Sequence, residues 1–192
     1  MRSWDGEVTA AEARPARANR VSGSGRVNLE GADDCPAART YTRRDPEFRA
    51  ALEPGVRRLV LTLVEAFDCI TYSSCEGHPA PGASAEPSPR HAGVLPRDAA
   101  EYERLVGAFG RAARRCNLRV GDGAVRVTVV ERTLTSEGMA APCLEIVFAC
   151  ERGEWPAYFS RLEEVYEAFL TRLAEEAPGG AAGTLHSRAG SV

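Results

Sequence analysis

What most limits the fold of this chain is the order in which two hydrophobic periods alternate along it. Val56, Leu59, Val60, Leu63, Val64 and Phe67 recur at steps of three and four residues. So do Tyr102, Leu105, Val106, Phe109, Ala113 and Cys116, and again Phe159, Leu162, Tyr166, Phe169, Leu170 and Leu173. Each set draws one apolar stripe along a helix. Short β-type segments separate the three, at about 69–74, 91–96, 125–134 and 143–150. In the third of them Val125, Val127 and Val129 alternate with Arg126 and Thr128, the period of two that marks a half-exposed strand. With a short helical start before the first stripe, the order reads α-ββα-ββα. It predicts an α+β domain: a four-stranded, mainly antiparallel sheet with helices packed on one face.

Local signals set the boundaries. Asp45-Pro46-Glu47 reads as a helix start, with Asp as N-cap and Pro where its missing N–H does no harm. Pro54 interrupts that helix and opens a second one. Asp98 with Glu101 three residues later is a capping-box-like pair before the next stripe, and Pro156 stands near the start of the last. Residues 1–40 are rich in Ala, Arg, Gly, Ser and Glu without apolar periodicity, which predicts a disordered N-terminal segment. Residues 177–192, with four glycines and His186, predict a flexible C-terminal tail. A single domain is thus expected over 41–176, long enough to bury one ordinary core.

Composition excludes several kinds of chemistry. All 24 basic residues are arginines, so neither Schiff-base catalysis nor a P-loop is open to this chain. A formal charge of −3 and a pI near 5.7 do not favour a general nucleic-acid binder, although they leave room for a local arginine patch. No apolar run approaches the roughly 18–20 residues that span a bilayer, and Asp5, Glu7 and Glu12 stand where a signal peptide needs an apolar core. A cytoplasmic protein without a membrane partner is expected. Its six cysteines are then reduced, and no two have Cys-x-x-Cys spacing. Cys69, Cys116, Cys143 and Cys150 lie in or beside apolar segments and read as small buried hydrophobes.

Cys75 differs from these, because it belongs to the one chemically dense stretch, Thr71-Tyr72-Ser73-Ser74-Cys75-Glu76-Gly77-His78-Pro79, at the expected end of the first strand. A Pro-rich loop follows, and Arg90 and His91 open the next strand. Three chemistries suit these residues. Cys75, His78 and His91 would be soft and borderline ligands for zinc or iron, with Glu76 or water completing the shell. Alternatively, Cys75 is a thiolate nucleophile with His78 or His91 as base and Arg90 or Arg97 orienting an anion. As a third course, Gly77 and the backbone N–H groups around it hold a carboxylate or phosphate of a small-molecule ligand. A fourth, non-functional reading makes the stretch a polar turn. If the flanking strands pair, the ends of the loop come within about 5–10 Å of each other. Cys75, His78 and His91 are therefore expected around one cavity, with Glu76 at its rim or in solvent.

Ser73-Ser74-Cys75-Glu76-Gly77-His78 resembles the Ser-Ser-Cys-Ser-Gly-Arg segment of the tRNA wybutosine-synthesising methyltransferase family, with Glu76 in place of Ser and His78 in place of Arg. The resemblance takes in the preceding amphipathic helix and strand, about thirty residues in all. It implies an S-adenosylmethionine-dependent methyltransferase, with Ser73, Ser74, Cys75 and Gly77 in a cofactor or substrate pocket. Two functional classes follow from the whole sequence. One is a small enzyme with Cys75, Glu76 and His78 as catalytic residues, and the other is a non-catalytic ligand- or partner-binding module. Arg111, Arg114 and Arg115 read as a solvated helix face, Glu163, Glu164 and Glu167 as surface charges, and Trp155 and Tyr158 as packing residues.

Overall fold

A computed structural model of the protein describes residues 47–80, 87–121, 123–136 and 139–179. The expected N-terminal segment, the Asp45-Pro46 helix start and most of the expected C-terminal tail lie outside the described residues. The element order is α1 (Phe48–Ala51), α2 (Pro54–Ala66), β1 (Ile70–Cys75), β2 (His91–Leu95), α3 (Ala99–Val120), β3 (Val125–Ser136), β4 (Met139–Cys150) and α4 (Trp155–Glu176). A short 3-10 turn, Glu151–Gly153, joins β4 to α4.

The four strands form one antiparallel sheet, as the α-ββα-ββα pattern predicts, and their order is β1-β2-β4-β3. Paired residues share a face, so the register sorts side chains into two sets. Val125 and Val127 pair with Cys150 and Phe148, and Leu144 and Ile146 with Val94 and Ala92. Helix α2 lies against β1 and β2, α3 against β3, and α4 against β3 and β4. Val56, Leu59, Leu63, Leu105, Phe109, Leu162, Phe169 and Leu173, all fully or almost fully buried, fill the space between helices and sheet. The stripes recognisable in the sequence are these same residues.

Local chemistry ends the elements where expected. The Asp98 side chain accepts the Glu101 N–H at 2.8 Å. Glu101 reaches one residue farther back than a capping box requires, accepting the Arg97 N–H at 2.6 Å. At its far end α3 stops at Gly121, with φ of 72°. The edge strand β3 is closed by a side chain of α3. Asn117 donates to the Val127 carbonyl at 2.8 Å and accepts the Val127 N–H at 3.0 Å, standing in for a missing neighbouring strand.

Candidate metal centre

The Ser-Ser-Cys-Glu-Gly-His stretch begins on β1 and runs off its end, beside the start of α2. Cys75 is the last residue of β1 and pairs in register with His91, the first of β2. Just beyond, His78 forms an isolated antiparallel bridge with Ser88: each N–H donates to the other's carbonyl, at 3.0 and 2.9 Å. This bridge closes the neck of the loop, of which residues 81–86 lie outside the described set. Gly77 makes the turn possible. Its φ is +85°, and a Cβ there would stand 3.0 Å from the Arg90 backbone nitrogen.

The donors that gather here are Cys75, His78 and Glu53, whose ligand atoms lie within 4.8 Å of one another. Glu53 comes from the N-cap of α2, 25 residues before His78, and its Oε1 is 3.1 Å from His78 Nε2. The other carboxylate oxygen accepts the Glu76 N–H at 2.8 Å, which fixes the plane of the carboxylate. Cys75 is held in the same manner, its sulfur accepting the Gly77 N–H at 3.4 Å with the Ser88 hydroxyl 3.7 Å away.

The other residues singled out from the sequence are distributed around this group. His91 is not part of it: its Nε2 lies 3.2 Å from Ser73 Oγ and its Nδ1 3.4 Å from the Pro89 carbonyl. Glu76 is half-buried beside the group rather than in open solvent: its carboxylate accepts the Gly55 N–H at 2.7 Å and caps the first turn of α2. Ser74 is buried, whereas Ser73 is half-buried beside His91. Arg97 is engaged elsewhere, by Glu101 and by Asp68. Arg90 forms the inner wall of the site. Its Nε donates to the Glu76 carbonyl at 2.8 Å, its Nη2 to Glu163 at 2.5 Å, and its guanidinium lies 4.4 Å above the Tyr166 ring.

Sequence reasoning missed Glu53, Arg90 as a buried residue, and the link from Arg90 to α4. Glu53 carried one signal, its place directly before a helix-opening proline, but nothing local connects it to residues 75–78. The Tyr158 hydroxyl accepts the Arg90 N–H at 2.8 Å, so Tyr158 is a hydrogen-bonding group as well as a packing ring.

The electrostatics separate two of the chemistries. Burial pushes the Cys75 thiol above its ordinary pKa of 9.0; the Gly77 N–H and Ser88 oppose this, and the charges of Glu53 and Glu76 add to it. A thiol in that environment is protonated at neutral pH and a poor nucleophile. A divalent cation among the three donors changes the balance, because it offsets the carboxylate charge and takes the sulfur as thiolate. Cys69, Cys116 and Cys143 are buried free thiols, as expected of small hydrophobes, whereas Cys150 is only half-buried. Among the described residues no helix is long and apolar enough to cross a membrane.

No family model matches the chain, and neither a curated protein nor a solved structure is similar to it.

Proposed function

We propose that this chain is a small metalloenzyme built around one divalent ion, zinc or iron, held by Glu53, Cys75 and His78. The observation that carries this reading is the convergence of a carboxylate, a thiol and an imidazole from α2, β1 and the following loop to within 4.8 Å. Mixed sulfur, nitrogen and oxygen donors suit zinc and iron better than magnesium or calcium, which prefer oxygen alone. Three protein ligands leave a coordination position for water or substrate, whereas a structural zinc site uses four. An ion so placed polarises a substrate oxygen or lowers the pKa of its bound water to about 7. Glu76 and Gly77 act through backbone N–H groups, the first orienting the Glu53 carboxylate and the second favouring the thiolate form of Cys75.

The test is elemental analysis of protein purified without chelator, followed by zinc titration against a chromophoric chelator and by cobalt substitution. One equivalent of metal is expected, with a sulfur-to-cobalt charge-transfer band that disappears in Cys75→Ser. Glu53→Gln and His78→Ala should each weaken zinc binding by at least about tenfold. Full retention of metal by Cys75→Ser would overturn the reading. The same titration series with S-adenosylmethionine tests the cofactor that the sequence resemblance implies.

A further inference from the structure

We infer that the substrate of this centre is a small molecule bearing an oxyanion, a carboxylate or a phosphate, and that Arg90 binds it. For the position of the reacting end of that molecule the inference rests on the metal reading. The anion subsite itself does not.

Arg90 is only 4% exposed, yet its hydrogen bonding is incomplete: Nη1 is buried and has no partner among the described residues. A buried guanidinium N–H left unmet is costly, and such groups are normally satisfied by protein, water or ligand. The remaining contacts leave one side of the fork uncommitted. Nε is committed to the Glu76 carbonyl, and Nη2 alone is engaged by a carboxylate, that of Glu163. Arginine recognises carboxylates and phosphates through two parallel N–H···O bonds, a geometry that Glu163 does not complete. The Glu163 side chain is 69% exposed, so it is a surface carboxylate reaching inward to a buried cation. On this inference it is the carboxylate that a soluble anion would displace.

The surroundings are built for close approach. A Cβ on Gly55 would lie 2.9 Å from Arg90 Nη2 and 3.0 Å from Glu76 Oε2. The bare glycine therefore leaves room for both the guanidinium and the Glu76 carboxylate at the first turn of α2, where backbone N–H groups favour negative charge. Through the Glu76 peptide, Arg90 is also tied to the metal donors: Nε holds the Glu76 carbonyl, and the Glu76 N–H holds Glu53. On the metal reading, an anion on Arg90 would thus be held one peptide away from the residues that would hold the ion, with its charged end fixed.

The experiment titrates inorganic phosphate and, separately, acetate into chelator-treated, metal-free protein, with NMR shifts as the readout. Because no metal is present, failure of the metal reading leaves this result intact, and failure here leaves metal retention intact. Glu163→Gln removes the competing charge while keeping the side chain's shape, and should tighten the preferred anion about tenfold, as expected when an occluded site becomes competent. Arg90→Lys, which keeps the charge but loses the fork, should weaken it by at least about tenfold. Anion binding by Glu163→Gln that is equal to or weaker than wild type, or no saturable binding of either anion by either protein, would overturn the inference. Should Arg90→Lys fail to fold, the Glu163→Gln comparison decides alone.

Discussion

Gly55→Ala is a substitution for which two physical effects oppose each other and the structure decides the winner. Gly55 is the second residue of α2, and alanine in a helix is intrinsically better than glycine by up to about 1 kcal/mol, less in the first turn. Against this, the new methyl would stand 2.9 Å from Glu76 Cβ and from Arg90 Nη2, and 3.0 Å from Glu76 Oε2. Two of these atoms are side-chain ends, but neither is free to move: Arg90 is held by Glu76, Glu163 and Tyr166, and Glu76 Oε2 by the Gly55 N–H. The third, Glu76 Cβ, moves only with the backbone. Overpacking of this kind costs about 1–3 kcal/mol, and a strained charged hydrogen bond adds to it. The expected net effect is a loss of about 1–2 kcal/mol, the steric cost exceeding the propensity gain. In urea unfolding followed by circular dichroism the midpoint should fall with unchanged slope, and Tm should drop by roughly 4–8 °C. Zinc affinity should fall as well, because a displaced Glu76 no longer orients Glu53. A Gly55→Ala protein with a midpoint equal to or above wild type would refute the claim that this approach is tight.

Asn117→Asp should destabilise the domain by about 1–2 kcal/mol, since a carboxylate cannot donate to the Val127 carbonyl; an unchanged urea midpoint would show that β3 does not depend on this edge contact. Stability should also decline in alkali. Burial raises Cys69 from 9.0 to about 12, and Cys116 and Cys143 to about 11. The folded state therefore keeps protons that the unfolded state releases, so stability is full below about pH 9 and is lost as pH climbs from there through 11 to 12. A urea midpoint flat from pH 7 to 11 would contradict this, as would rapid alkylation of these thiols in the native protein at pH 8.

The fold was legible in the sequence because its signals are local. The period of Val56 to Phe67 needs no partner to be recognised, nor does the alternation of Val125 to Val129, and the Asp98–Glu101 pair operates within one turn of its helix. Strand order is a different matter. That β4 sits between β2 and β3 follows from which apolar faces meet, and no single segment contains that information.

The same division runs through the site. Sequence alone brought Cys75, Glu76, Gly77 and His78 together, since four residues at a strand end are close whatever the fold. It could not supply Glu53, which reaches His78 only because α2 packs its first turn against the end of β1. It assigned His91 to the cluster from the expected pairing of the first two strands; Cys75 and His91 do pair, but the ring turns to Ser73. Arg111 and Arg115 read as solvated and are exposed, yet in the fold they also pair with Glu176 and Glu175 on α4. Glu163 read as a surface charge and is one, yet it also neutralises a buried arginine from another element. The physical reason is common to all of these: periodicity and capping are energies between neighbours along the chain, whereas a side chain's final partner is set by the packing of elements far apart in sequence. Only the tertiary structure determines that packing.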